Sequence, residues 1–163
     1  MSQIQEEIRQ QKPFHSPAHQ AAVSLLRTAN LLVRHYTAVV GQQDITLQQY
    51  NVLRILRGAG KAGLPTLEIG ERMVEQTPGI TRLLDRLEKK HLVKRQRSAA
   101  DRRQVMVQIM PAGLSLLEQL EDAVHLADAR GMSGLDASGL DHFIKLLDEV
   151  RAGLHQADLD GRP

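Results

Sequence analysis

Several basic side chains of this sequence are spaced so that they could bind a polyanion. Residues 72–103 carry 10 basic and 4 acidic side chains, a net charge of +6 in a chain whose total is +2. Within this segment Arg82, Arg86 and Lys89 recur at helical spacing, which places them on one helix face. Such a local charge is typical of nucleic-acid binding, although a basic face that only meets solvent gives the same pattern.

The run Asp101, Arg102 and Arg103 is a second group with recognisable chemistry. Asp101 stands two positions before Arg103 and could hold its guanidinium extended. An arginine held in this way can enter a narrow minor groove of DNA, where the negative potential is enhanced. The alternative is a surface salt bridge at a turn, which would contribute only ~0–1 kcal/mol.

Enzymatic and metal chemistry find little support. The chain has no cysteine, which excludes thiol nucleophiles, disulfides, Cys-based zinc sites and cysteine redox sensing. His15 and His19 have metal-ligand spacing, but Pro17 stands between them, so we expect no metal site. There is no glycine-rich phosphate loop and no H-E-x-x-H motif. We therefore expect neither enzyme activity nor a cofactor.

Hydropathy predicts a cytoplasmic protein that does not bind membranes. The first 15 residues are polar and of mixed charge, unlike a signal peptide. No apolar run approaches the ~18 residues of a membrane helix. The length of 163 residues suits one folded domain, or one domain with a helical annex.

Apolar periodicity predicts a mainly α-helical chain with one β-hairpin. Residues 92–97 and 104–109 alternate between apolar and polar side chains, which predicts two strands joined by a polar tip. Residues 1–15 are predicted to form a loose arm, and 58–64 a flexible loop. Helices are predicted at 18–40, 46–58, 66–73, 78–90, 111–130 and 137–155.

Two short helices, a turn and a basic hairpin follow one another in the order of a winged helix-turn-helix. In this fold the second helix enters the ~12 Å wide major groove with its N-terminal residues at the base edges. Arg82 could donate twice to guanine, whereas Arg86 and Lys89 lie further along the helix and would reach phosphates. Beside such a helix, the minor-groove interpretation of Arg103 is favoured over the salt bridge.

The start of this helix offers DNA further groups. Gln76, Thr77 and Thr81 are polar side chains near its N-terminal end, and Gly79 leaves backbone N–H groups open to a phosphate. Thr77 has an alternative role, because a threonine followed by Pro78 is typical of an N-cap.

These residues resemble the MarR family of winged-helix regulators. The resemblance is carried by LQQYNVLRIL, GLPTLEIGERM, ITRLLDRLEKKHLVKR and DRRQVMV within residues 47–113, and it extends over about residues 18–155. The family usually has glycine where His91 stands, at a site that often needs positive φ. The resemblance implies a major-groove role for Thr77, Thr81 and Arg82, a minor-groove role for Arg103 oriented by Asp101, and backbone contacts by Arg97 and Arg102.

The resemblance also implies an obligate homodimer in which the long helices of two chains intertwine. The chain then divides into an arm and dimerisation helix (1–45), a winged helix-turn-helix domain (46–110) and C-terminal dimerisation helices (111–163). The last part carries 4 basic and 10 acidic side chains, a net charge of −6, which keeps it away from DNA. The expected dimer residues are Leu25, Leu26, Leu117, Leu140, Phe143, Ile144 and Leu147.

Many members of this family release DNA when a small, often anionic aromatic ligand binds between the dimer helices and the DNA module. We therefore predict a repressor that binds double-stranded DNA at a pseudo-palindromic operator and has a small-molecule effector. His35 and Tyr36 are the candidate pocket residues, although such side chains more often only complete a core. A ligand-independent winged-helix module, binding DNA architecturally or another protein, is the alternative.

Overall fold

A computed structural model describes residues 2–75, 79–97, 104–159 and 161. It is mainly α-helical with one small antiparallel sheet, as the sequence predicts. Among the described residues, none of the helices is apolar over a stretch sufficient to cross a membrane. The elements are α1 (Gln3–Glu7), α2 (Pro17–Val40), α3 (Leu47–Ala59), β1 (Leu64–Pro65), α4 (Thr66–Glu71), α5 (Ile80–Lys89), β2 (Val93–Arg97), β3 (Val105–Ile109), α6 (Pro111–Gly131) and α7 (Ala137–Leu159).

Two expected irregular segments contain regular structure. The arm predicted over residues 1–15 includes α1, which Ser2 and Gln5 start with a reciprocal capping box. The loop predicted over 58–64 ends in β1, which pairs with β3. Both predictions were wrong because a five-residue helix and a two-residue strand are too short to show apolar periodicity.

The chain forms two compact units, residues 1–124 and 125–163. The core of the first unit is centred on α3, whose Val52, Leu53 and Leu56 are fully buried. Ile69 of α4 packs in the same cluster. Burying each of these side chains contributes about 1.5–3 kcal/mol, so α3 is the scaffold on which the shorter elements are held.

Helix α3 begins as its sequence predicts. Thr46 is the N-cap: its hydroxyl accepts a hydrogen bond from the Gln49 backbone N–H at 3.2 Å. The Gln49 side chain accepts in return from the Thr46 backbone N–H at 3.0 Å. Thr46 and Gln49 have the S/T-x-x-E/Q spacing that predicts such a capping box. The prediction is confirmed, and the box fixes where α3 starts.

The sheet has the strand order β1-β3-β2, with both pairs antiparallel. The predicted hairpin is confirmed, with Val93 opposite Ile109 and Arg97 opposite Val105. At Gly113, near the start of α6, a Cβ would lie 2.5 Å from the Leu92 carbonyl oxygen. Only glycine therefore allows α6 to begin directly against the base of the hairpin.

The second unit contains the end of α6 and all of α7. Asp136 caps α7 by accepting the Gly139 backbone N–H at 2.7 Å, the role that an aspartate directly before a helical pattern predicts. Helix α7 has no fully buried residue, although its sequence carries apolar side chains at helical spacing. Its apolar side chains are therefore left without a complete cover in a single chain.

Candidate nucleic-acid interface

Helix α5 lies within the strongly basic segment, and its start differs from the predicted one. The helix begins at Ile80, with Gly79 as the N-cap in the left-handed conformation at φ 93°. The prediction of a start at Pro78, capped by Thr77, was therefore wrong. A residue with positive φ cannot belong to a right-handed helix, and glycine takes this conformation at little cost. Thr77 and Pro78 themselves lie outside the described residues.

One face of α5 is apolar and holds the helix on the core. Leu84 and Leu87 are fully buried, and Ile80 and Leu83 pack against the same cluster. These positions repeat at three- and four-residue spacing, which is the periodicity of one helix face.

A second face of α5 is a cationic stripe formed by Arg82, Arg86 and Lys89. All three residues are exposed. None of the three side chains has a hydrogen bond or ion pair with another residue in the part of the chain that the structure describes. The spacing of four and three residues aligns them along the helix. The stripe is therefore free to bind phosphates or base edges.

The third face of α5 meets strand β2 through Arg95. The Arg95 Nη1 lies 2.5 Å from Asp85 Oδ1 and 3.4 Å from Glu88 Oε2. Its Nη2 donates to the Thr81 carbonyl at 3.0 Å, and its backbone N–H donates to Glu88 Oε1 at 2.9 Å. The β2–β3 hairpin is called the wing below. Through Arg95, this wing thus binds Thr81, Asp85 and Glu88 of α5.

The sequence did not single out Arg95, Asp85 or Glu88 as functional. Two acidic side chains inside a basic helix were the available signal. They predict that a cation binds there, but they do not identify it, because the packing of β2 decides that the cation is Arg95.

The other predicted contact residues that the structure describes lie at the start of α5 and at the end of β2. Arg97 ends β2 and is exposed, while Gly79 and Thr81 are exposed at the start of α5. The described part of the chain therefore brings Gly79, Thr81, Arg82, Arg86, Lys89 and Arg97 to one helix and the adjoining strand. Gln76, Thr77, Asp101, Arg102 and Arg103 fall outside the described residues.

An open cleft adjoins the C-terminal half of α5. Lys90 bridges it: its Nζ donates to Asp44 Oδ2 at 2.7 Å and to the Asp44 carbonyl oxygen. The ammonium group lowers the pKa of the Asp44 carboxyl, through the hydrogen bond first and the charge second. Asp44 itself lies in the left-handed region, at φ 53°. The cleft is lined by Gly41, Asp44, Ile45, Thr46, Gln49, Arg86, Lys89 and Lys90.

The two candidate pocket residues do not line this cleft. His35 and Tyr36 are half-buried on α2, with ring centroids 6.3 Å apart. The Nε2 atom of His35 is buried without a hydrogen-bond partner among the described residues.

The His15 and His19 rings stack on each other, with centroids 4.2 Å apart. Within the described ranges, no three histidine, aspartate or glutamate side chains are grouped so that they could hold a metal ion.

The comparison of this chain with known proteins gives consistent results. A sequence profile of the MarR family matches residues 45–105. The curated relative TtmR of Methylorubrum extorquens (strain PA1), described as an HTH-type transcriptional regulator, is 28% identical over 144 residues, covering 86% of this chain and 72% of TtmR.

Solved structures agree with this match. The crystal structure of a MarR transcription factor from Planctomyces limnophilus is 37% identical, with a TM-score of 0.65, and the match covers 83% of this chain and 98% of that chain. A structure of Bordetella bronchiseptica BpsR is 22% identical, with a TM-score of 0.71 over 81% of this chain and 98% of that chain. That structure is described as giving the mechanism by which 6-hydroxynicotinic acid regulates the DNA binding of BpsR. At this identity the likeness to BpsR concerns the fold alone.

Proposed function

Since this chain belongs to the MarR family of transcription regulators, and is not an enzyme, we propose that it represses transcription by binding a pseudo-palindromic operator as a homodimer. The observation that carries the proposal is the cationic stripe of α5. Arg82, Arg86 and Lys89 are exposed side chains with no partner in the described chain, in a segment of net charge +6. A cationic helix of this kind fits the negative potential of the major groove.

Within this proposal the position of each basic residue decides whether it contacts a base or a phosphate. Arg82 stands in the first turn and reads a guanine edge by two hydrogen bonds. Arg86, Lys89 and Arg97 contact phosphates, which fixes the register of the protein on the duplex. The N–H groups exposed at Gly79 add an anion contact.

Residues outside the described ranges, together with Thr81, complete the proposed interface. Gln76, Thr77 and Thr81 meet the base edges beside Arg82. Arg102 contacts the DNA backbone, and Asp101 orients Arg103 into the flanking minor groove.

The homodimer proposal rests on apolar side chains that a single chain leaves exposed. Leu26 of α2 is 71% exposed, and Ile144 of α7 is 54% exposed. Leu25, Leu140, Phe143 and Leu147 are half-buried and would be covered further by a second copy. Leu117 is already buried in the core of its own chain, so the dimer contacts are proposed for the other six residues. In this proposal, 46–110 reads DNA and the flanking parts, 1–45 and 111–163, dimerise.

We further propose that a small anionic aromatic effector releases the operator. The regulation of BpsR by 6-hydroxynicotinic acid supports this class of ligand. His35 and Tyr36 on α2 remain the proposed ring-binding residues, and the unpartnered Nε2 of His35 offers a polar contact. An effector there would act by changing the distance between the two recognition helices.

The proposed function is tested by selecting bound DNA from a random duplex pool with the purified protein. We expect a two-fold symmetric sequence whose half-sites are about one helical turn, ~34 Å, apart. Enrichment without symmetry would support an architectural DNA-binding protein, and no enrichment would support a protein-binding module. Either result would overturn the repressor proposal.

A further inference from the structure

We infer that Arg95 is a positioning residue for DNA recognition: it sets the rotation of α5 about its own axis relative to the wing, without contacting DNA itself. This inference rests on the proposed function. Its basis is that one guanidinium and one backbone N–H of β2 bind three turns of the recognition helix, at Thr81, Asp85 and Glu88.

The apolar face alone does not fix this rotation. Leu84 and Leu87 hold α5 on the core, but hydrophobic contact is non-directional and tolerates a small roll of the helix. The bonds of Arg95 are directional, because a guanidinium is planar and its donors point in fixed directions. They therefore supply the restraint that the core lacks.

The strand that carries Arg95 is itself well anchored. Strand β2 pairs with β3 over five residues, from Val93 to Arg97, and Val93 and Val107 are both buried. The Arg95 side chain is 24% exposed, compared with 46% for Asp85 and 40% for Glu88. Arg95 is thus the most buried of the three side chains, and it comes from a strand held on both the sheet and the core.

A small roll of α5 would be enough to lose base recognition. Side-chain ends lie about 5–6 Å from the axis of a helix, so a roll of about 10° moves them by about 1 Å. A hydrogen bond has a tolerance of only about half that distance. Arg82 would lose its bidentate geometry, whereas Arg86 and Lys89, as phosphate contacts, would keep most of their attraction.

The test is Arg95→Met, with the affinity measured on the selected operator and on random duplex DNA. We expect operator affinity to fall about tenfold or more, the effect of a lost base contact in each half-site. Affinity for random DNA should fall less than about threefold. Equal losses on both DNAs would overturn the inference, because partial unfolding or a change in charge would weaken both alike.

Two further variants separate position from charge. Arg95→Lys keeps the charge but not the planar fork, so we expect operator affinity to stay low; full recovery would contradict the inference. Adding Asp85→Asn to Arg95→Met removes the carboxylate that the first substitution leaves unpaired. Recovery of operator affinity in this double variant would also contradict the inference.

Lys94→Met is the matched control, because Lys94 loses the same charge from the same strand and is exposed. Both affinities should stay within about twofold. If the wild-type protein itself showed no operator preference, the proposed function would fail rather than the role of Arg95.

Discussion

Helices α5 and α7 differ in how much of their surface is covered by other residues of the same chain. Over its ten residues α5 has one face on the core, one bound by Arg95 and one exposed cationic stripe, which we propose binds DNA. Helix α7 has 23 residues and none that is fully buried. The apolar face of a short helix can be buried entirely by neighbouring elements of its own chain. A long helix whose apolar side chains stay exposed indicates a partner that covers them, and here we propose a second copy of the chain.

Disrupting the apolar face of α7 is expected to have the largest effect. Ile144→Glu combined with Leu154→Glu places charges where the second copy would pack, so the dimer should dissociate. Operator affinity should fall about 100-fold, because two linked half-sites bind far more tightly than one. Sedimentation and anisotropy titrations measure the two effects.

His142→Glu is the control for charge, because His142 is exposed and lies on the opposite side of α7. It should leave the dimer intact. A dimer that survives the double substitution would show that this face of α7 is not the interface.

The wing tip is expected to matter next. Arg103→Ala removes the proposed minor-groove arginine, so operator affinity should fall about tenfold or more. The dimer should persist, because the substitution leaves the apolar faces of α2 and α7 unchanged. Unchanged affinity in a gel-shift assay would rule out the role proposed for the wing.

Single substitutions on the stripe sharpen the roles within α5. Arg82→Ala should cost ~1–3 kcal/mol of discrimination at one base pair of each half-site. Arg86→Ala should weaken binding to all sequences and reduce the salt dependence. Both are measured on the operator and on its single-base variants. If Arg82→Ala weakened all DNAs equally, Arg82 would be only a phosphate contact.

A substitution just after α5 is expected to change the stability of the protein without changing its affinity for the operator. His91 follows the helix at φ 56°, a conformation that costs a residue with a Cβ about 1–2 kcal/mol relative to glycine. His91→Gly should therefore raise the melting temperature by a few degrees. Operator affinity should not change, and a lower melting temperature would contradict the strain.

The smallest expected effect concerns Asp44, which is fully exposed. Its pKa is lowered in the folded protein by Lys90, so the pair contributes stability above the ordinary pKa of aspartate, about 3.9. This stability is lost as the pH falls through the lowered pKa. Asp44→Asn should reduce the difference in stability between pH 7 and pH 3. An identical difference in both proteins would exclude the contribution.

Local signals in the sequence were enough to predict several elements. Thr46 and Gln49 fix the start of α3 because their hydrogen bonds join residues three apart. Alternation predicts β2 and β3, in which Val93 and Val107 are buried and their neighbours Lys94 and Gln108 are more exposed. The resemblance indicated positive φ at His91, and the structure has it.

Other features depend on residues that are distant in the sequence. Gly79 rather than Thr77 is the N-cap of α5, and the φ of an isolated glycine cannot be predicted from the sequence. Arg95 finds Asp85 ten residues away because of the angle between β2 and α5, and Lys90 finds Asp44 across 46 residues. Tertiary packing sets such pairs, so composition and periodicity could not predict them.

The salt dependence of operator binding shows whether cationic side chains of this chain bind DNA phosphates. If Arg86, Lys89 and Arg97 of two chains contact roughly six phosphates, log K should fall with log salt at a slope of about −5. A slope close to zero would contradict DNA recognition by the cationic stripe.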